Sequence, residues 1–435
     1  MSARPEQMEG ASARVDGPPR LLIAGGGMVG LSLALLLARD LPAEARIELV
    51  EGVPLPPPGA APQAYHPSFD ARSTALSYST AVIFRELGIW EALQPGLAPI
   101  RSIHVSRRGH FGSSLLHARE QGWEALGWVV ENPCLGRVLL EAVRAQPRIG
   151  LHCPARVTAA RADGARVRAT IDASPANGAD AGGRDETVDL LVIADGAGST
   201  LRDSLGFFTR RQSYGQDALI ANLAFESSPD GCAFERFTDS GPLALLPLPD
   251  AREERHRAAL VWTLPPAQAG RLAEVPEGEF ARALEAAFGQ RLGRVTRVGS
   301  RHSYPLALTE AVEQVRRGMV VLGNAAHALH PVAGQGFNLA LRDTQALAAA
   351  LAAAVRAGDS PGDVRVLNDY AARRERDQAQ TIAASDGLPR LFAIGDPVFA
   401  ITRDLSLAGL DLVPAARRLF VQQAAGMAAL EAVHG

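Results

Sequence analysis

The chain has 435 residues, 47% of them apolar, and a formal net charge of −3, which suits two domains or one elaborated α/β unit and excludes a largely disordered chain. Its three cysteines (Cys134, Cys153 and Cys232) form no Cys-x-x-Cys pair, which argues against a disulfide scaffold, a structural zinc site or an iron–sulfur cluster and fits a reducing cytoplasm. Every basic residue is Arg, so Schiff-base and Walker lysine chemistry are excluded, and the arginines are scattered among acids rather than gathered into a stripe that would bind nucleic acid.

Residues 1–19 are polar, lack an apolar signal segment and read as a mobile tail. The run RLLIAGGGMVGLSLALLLARD at 20–40 then reads as strand, glycine turn and buried helix. Gly25 permits the turn, Gly27 lets a phosphate approach the backbone, and Gly30 lets helix and strand pack closely. The N–H groups at the helix start, at the positive end of its dipole, would hold a pyrophosphate. Glu51 closes the following strand, where an acid would bind an adenosine ribose. The turn alone does not choose between FAD and a nicotinamide. No segment reaches membrane length without a charge, which leaves peripheral membrane contact open.

Residues 52–66 are Pro- and Ala-rich and read as a loop; Arg72 beyond it is placed either to clamp a cofactor phosphate or to cap a helix. Helical spacing covers 79–93, and alternation over 100–116 predicts a strand pair. Leu135, Leu139 and Val143 mark a helix face, with Asn132 as its expected cap. Strand signals recur at 149–159 and 165–171, and 172–185 reads as a surface connection. A buried strand then runs into Ala194-Asp195-Gly196, a second strand end meeting the same ligand. Alternating apolar runs over 212–295 predict an antiparallel sheet, one of whose faces would wall a substrate cavity, and an apolar channel is expected between it and the C-terminal helices.

A third buried strand ends at Gly323-Asn324 and feeds a Pro/Gly-rich loop and helix containing Gly334, Gly336, Phe337 and Asn338, whose N–H groups could hold the anionic edge of a ring. His327 and His330 lie three apart with no Cys or acid at ligand spacing, so no metal is expected; packing near a cofactor and a direct part in chemistry both stay open. The rest of the chain, from 344, is helical in pattern.

In this order, GGGMVG with Glu51, ADG at 194–196 and GNAAHALHPVAGQGFNLALRD at 323–343 resemble the FAD-dependent aromatic hydroxylases of the para-hydroxybenzoate hydroxylase type. DARSTALS, ENPCLGRVL and YAARRERD narrow the resemblance to the ubiquinone-pathway branch, in particular to its members acting on 2-polyprenyl-6-methoxyphenol. The similarity spans nearly all of 20–430 apart from 172–185.

The resemblance implies an α/β fold with a Rossmann-like FAD-binding domain (20–99, 127–205 and 300–385), an inserted, mainly antiparallel substrate domain (100–126 and 206–299) and a helical C-terminal region (386–435). It also implies bound FAD, transient NAD(P)H, O2 as co-substrate and a prenylated phenol as substrate. Other ubiquinone-pathway enzymes are the implied partners, in a cytoplasmic location peripheral to the inner membrane. Gly25, Gly27 and Gly30 would hold the pyrophosphate, Glu51 the adenosine ribose, and Arg72 the phosphates or ribose. Asn132 would take a position often filled by Arg or Gln, and Asp195 with Gly196 would meet the pyrophosphate or ribitol. Pro331 would sit by the reacting face of the flavin, with Gly334, Gly336, Phe337 and Asn338 at the pyrimidine edge; Pro331 and His327 are the candidate catalytic residues. Gly323-Asn324 stands where the family usually has Gly-Asp, which keeps an amide but removes a charge; siblings acting at other ring positions usually keep the acid. A hydroxylase for another ring position, a non-oxygenating FAD-dependent reductase of a prenylated lipid, and a noncatalytic flavoprotein that organises pathway enzymes remain alternatives.

Overall fold

The structure, a computed structural model, describes residues 17–59, 72–109, 113–173, 183–251, 254–330 and 334–393. Pro331 and the expected C-terminal stretch 394–435 lie outside these residues.

The centre is a six-stranded sheet in the order Val315–Arg316, Met319–Val321, Leu190–Ile193, Arg20–Ala24, Arg46–Val50 and Ile149–His152, parallel except for the first edge strand. Its middle strands are almost wholly buried because both faces are covered. Alternation divides them between two cores: Leu21, Ile23, Leu190 and Val192 face the helices, while Leu22, Ala24, Leu191 and Ile193 face the other way. On the helical face the glycine-turn helix Met28–Asp40 packs through Leu33, Leu36 and Leu37 beside helices Asn132–Ala145 and Gln335–Arg356. On the opposite face lies a three-stranded antiparallel sheet, Arg156–Asp163, Arg166–Asp172 and Arg184–Val188, which contributes Val167, Ala169 and Ile171.

A nine-stranded sheet forms the second unit, built around the long strand Thr209–Phe225 and its partners Arg257–Leu264 and His302–Ala311. The hairpin Ser102–Arg107/Ser113–His117 joins it through parallel pairing with Cys232–Thr238, which brings the two segments expected in the substrate domain into one sheet. Strands His302–Ala311 and His327–Ala328 also belong to this sheet, so the expected boundary at 300 is misplaced. The reason is physical: 302–311 continues the antiparallel ladder along Thr209–Phe225, and the chain re-enters the central sheet only at Val315. One face, with Leu219, Leu223, Leu243, Leu260 and Trp262, packs on helices Pro266–Glu274 and Glu277–Phe288. The other face is open to a cavity.

Helices Gln335–Arg356 and Val364–Ala393 are joined by buried charge. Arg374 Nε donates to Asp343 Oδ1 at 2.6 Å, Arg374 also pairs with Asp377, and Arg342 Nε donates to Asp377 Oδ2 at 2.9 Å. His327 Nε2 lies 2.9 Å from Asp343 Oδ2, and both side chains are buried. Burial pushes the Asp343 carboxyl up, but Arg374 and His327 outweigh it and hold the group below its ordinary value. Replacing Asp343 by Ala leaves a buried guanidinium short of one partner and should cost about 3 kcal/mol in urea unfolding, the low end for a broken buried pair because Asp377 remains. Since the folded carboxyl is depressed, the gap between wild type and variant should hold above about pH 5 and close as the pH falls below ~3.9.

Candidate active site

Three strand ends meet at the glycine turn. Gly25 has φ +115°, and a Cβ on it would run into the carbonyl of Ala194, at the end of Leu190–Ile193. Ala194 N donates to Ala24 O at 2.8 Å and Leu322 N to Ile193 O at 2.9 Å, so the three motifs are stitched side by side. A Cβ on Gly30 would strike the Gly25 carbonyl, which is why helix and turn need glycine there. Gly27 caps helix Met28–Asp40 without a side-chain hydrogen bond. Gly334, at φ +61°, likewise opens helix Gln335–Arg356 without one. Two helices of 13 and 22 residues therefore begin, without side-chain caps, on one cavity, presenting N–H donors and positive dipole ends to it. Glu51 is buried beside the turn, where its Oε2 accepts from Gly26 N and its Oε1 from Val53 N, both at 2.6 Å. Burial pushes the Asp195 carboxyl up, against the pull of the Ser199 hydroxyl and Arg202.

The cavity measures about 1390 Å³, beyond the roughly 300–1,000 Å³ usual for one ligand, so it has room for a dinucleotide and a second molecule. Its dinucleotide end is polar. Its far wall is the open face of the nine-stranded sheet, with Ile103, Val105, Ile220, Ala244, Leu246 and Val261. Within that apolar wall stands Glu235, whose carboxyl burial raises to about 7. His330 closes another side, held neutral by burial that lowers it to about 4, and it meets the Tyr214 ring edge-on at 5.0 Å. Tyr214 Oη donates to Asp386 at 3.0 Å, which ties this corner to helix Val364–Ala393. No described residue of that helix lines the cavity, which lies between the sheet and the dinucleotide end; the channel expected between the sheet and the C-terminal helices involves 394–435, outside the described residues.

Gly25, Gly27, Glu51, Arg72, Asn132, Asp195, Gly196, Asn324, Gly334, Gly336, Phe337 and Asn338 all line this one cavity. Gly30 and Gly323 lie behind it, the first under the turn and the second, at φ +63°, against Val29. Arg72 precedes strand Ser73–Ser77 rather than a helix, so it caps nothing, and its guanidinium lies 5.2 Å over the Tyr304 ring. Asn132 is the first residue of its helix rather than the cap, which is Glu131; the amide instead accepts from Thr74 Oγ1 at 2.7 Å. The Asn338 amide is committed to the protein: Oδ1 accepts from Ser77 N and Thr80 Oγ1, and Nδ2 donates to Ala75 O and Gly334 O. His327 does not reach the cavity; it faces Asp343 in the buried network, and His330 is the histidine on the wall. Sequence reading also missed Glu235, Asn222, Tyr304 and Arg156. Only Glu235 leaves a readable signal, an acid at an inward position of the alternating run Ala233, Glu235, Phe237.

Residues 20–385 match the FAD binding domain family. The chain is 35% identical to the ubiquinone hydroxylase UbiL of Rhodospirillum rubrum over 408 residues, covering 93% of this chain and 89% of that protein. It is 29% identical to 3-demethoxyubiquinol 3-hydroxylase of Escherichia coli (94% and 99% covered) and 27% identical to the human mitochondrial ubiquinone biosynthesis monooxygenase COQ6 (93% and 92%). Among solved structures, p-nitrophenol 4-monooxygenase PnpA of Pseudomonas putida superposes with a TM-score of 0.73 at 18% identity, over 96% of this chain and 98% of that one. The turn, which admits no Cβ at Gly25 or Gly30, and the two helix starts suit FAD. Gly25→Ala should therefore weaken FAD binding more than about tenfold, from the left-handed φ and the clash together, read as flavin bound per chain after gel filtration. The chain belongs to the FAD binding domain family and, within it, to the FAD-dependent aromatic-ring monooxygenases of the ubiquinone hydroxylase type.

Proposed function

We propose that the protein hydroxylates the ring of a polyprenylated phenol in ubiquinone biosynthesis, with 2-polyprenyl-6-methoxyphenol as the substrate. The observation that carries this reading is the open apolar sheet face across the cavity from the dinucleotide end, a surface for a ring with a hydrocarbon tail. Bound FAD supplies the redox chemistry, passing electrons from NAD(P)H to O2 and delivering one oxygen atom to the ring. The protein's residues bind, orient and keep out water. The N–H groups at Gly27–Met28 and Gly334–Gln335 hold anionic parts of the cofactor, Glu51 holds its ribose, and Asn324 stands at the family's second ribose position. Asn338 fixes the Gly334 loop to strand Ser73–Ser77, and neutral His330 offers a hydrogen bond without adding charge beside the ring. Asn at 324 favours the methoxyphenol enzyme over siblings acting elsewhere on the ring.

A prenylated substrate resides in a membrane, so peripheral contact and exchange with other pathway enzymes follow from the same reading. No helix among the described residues is long and apolar enough to cross a bilayer. Phe208 and Val312, joined by a 2.8 Å backbone hydrogen bond, are 77% and 58% exposed next to Thr209 and near Thr309 on the cavity wall, and they suit a lipid-facing edge. Replacing both by Ser should reduce partitioning onto anionic phospholipid vesicles, read by flotation, roughly 100-fold or more, from the loss of roughly 1.5–3 kcal/mol per inserted side chain, with flavin content unchanged. Turnover under labelled oxygen tests the activity itself: one label in the product, mapped by mass to the ring, with NAD(P)H oxidation stimulated by the phenol, is expected. Unlabelled product would replace the hydroxylase by a reductase, and no stimulation would leave a noncatalytic flavoprotein.

A further inference from the structure

Glu235 is the only carboxylate that the sheet presents to the cavity among the described residues; Glu51, Asp195 and Asp203 all belong to the dinucleotide end. Its strand, Cys232–Thr238, runs between Ser102–Arg107 and Gly241–Pro247, and register places Val105 on one side of it and Ala244 on the other. Ala233 and Phe237 share its face. Next along the flanking strand, opposite Phe237, is Arg107; Arg72, Arg156, Arg202, Arg211, Tyr304 and His330 are the other charged or titratable groups on the cavity walls besides the three carboxylates just named. None of them acts on Glu235, whose carboxyl feels burial alone. An acid kept in an apolar wall, where a hydrophobic residue would pack better, carries a persistent desolvation cost and marks a functional position.

Resting on the hydroxylase reading, we propose that Glu235 is the catalytic base that takes the proton of the substrate's phenol hydroxyl. As the O–H proton passes to the carboxylate, the bonding pair moves into the ring and the ring carbon would form its bond to one atom of O2 while the O–O bond breaks; the second oxygen keeps that pair, takes up protons and leaves as water, the two electrons required coming from NAD(P)H. The hydrogen on that carbon then leaves to water as a proton, the ring regains aromaticity, and the former phenol oxygen takes its proton back from Glu235. The carboxylate is regenerated and no further reductant or oxidant is needed. A base titrating near neutral pH is well matched to this transfer.

The test compares wild type, Glu235→Gln and Glu235→Asp as FAD-loaded enzymes with 2-geranyl-6-methoxyphenol as probe. Activity of wild type, as kcat/KM, should rise with pH through about 7, where the carboxylate form takes over. Glu235→Gln should lower kcat ~100-fold or more and lose that limb, Glu235→Asp should restore part of both, and flavin content should stay unchanged. A Gln variant that keeps the rate and the limb overturns the assignment while leaving the hydroxylase reading intact. Should wild type turn over no phenol, that reading fails, and direct binding of the probe followed by phenol absorbance still decides the role of Glu235. Affinity that changes with pH through 7 in wild type and not in the Gln variant supports contact between carboxylate and phenol; identical profiles overturn it.

Discussion

The close approach of three backbone segments at Gly25 is the constraint on which the structure depends. The turn can fold only if nothing projects from Gly25 toward the Ala194 carbonyl and nothing from Gly30 toward Gly25 itself. With those two positions bare, the strands Arg20–Ala24 and Leu190–Ile193 end level with one another, and the chain leaving Met319–Val321 is hydrogen-bonded into the same corner. Two helix starts then address a common space. The ligand site is thus a by-product of parallel strand ends in register, as open α/β sheets generally make it.

The nine-stranded sheet faces that corner and is used on both sides. One face is covered by the helices Pro266–Glu274 and Glu277–Phe288, as a folded sheet requires; the other packs in part, through Ala233 and Ala259, against Ile100 and Val129, and otherwise opens onto the cavity. Polar discipline along the uncovered face is uneven: Asn222 is satisfied by Glu131 at 2.8 Å, while Glu235 stands among aliphatic neighbours. Positioning residues surround the space rather than point into it. Asn338 makes four hydrogen bonds to protein, and Asn132 and Thr74 lock a neighbouring strand to its helix.

The dinucleotide half was legible in the sequence because its chemistry is local: a glycine turn between strand and helix, and acids at strand ends, are written in consecutive residues. Asn132 has the residue type of a cap, yet Glu131, an extended residue with no side-chain cap, takes that position, and Pro133 lets the helix begin at Asn132. Sequence does not separate His327 from His330, since a Pro/Gly-rich stretch carries no periodicity from which to read a face; the fold turns one toward Asp343 and the other to the cavity. The unit to which His302–Ala311 belongs is not legible in the sequence, because alternation reveals a strand and not its partner. Parallel pairing of Ser102–Arg107 with Cys232–Thr238, over a hundred residues apart, is invisible for the same reason.

A sheet face lined by Val105, Ile220, Ala244 and Val261 is half of a hydrophobic core whose other half arrives from outside the chain. What completes it is a small molecule, so part of the folding free energy is set by mass action: stability rises with the logarithm of ligand concentration over its dissociation constant. The abundance of the protein in a cell is thereby coupled to the supply of its own cofactor and substrate. Chains made in excess of that supply keep an apolar surface wet and fall first to proteolysis.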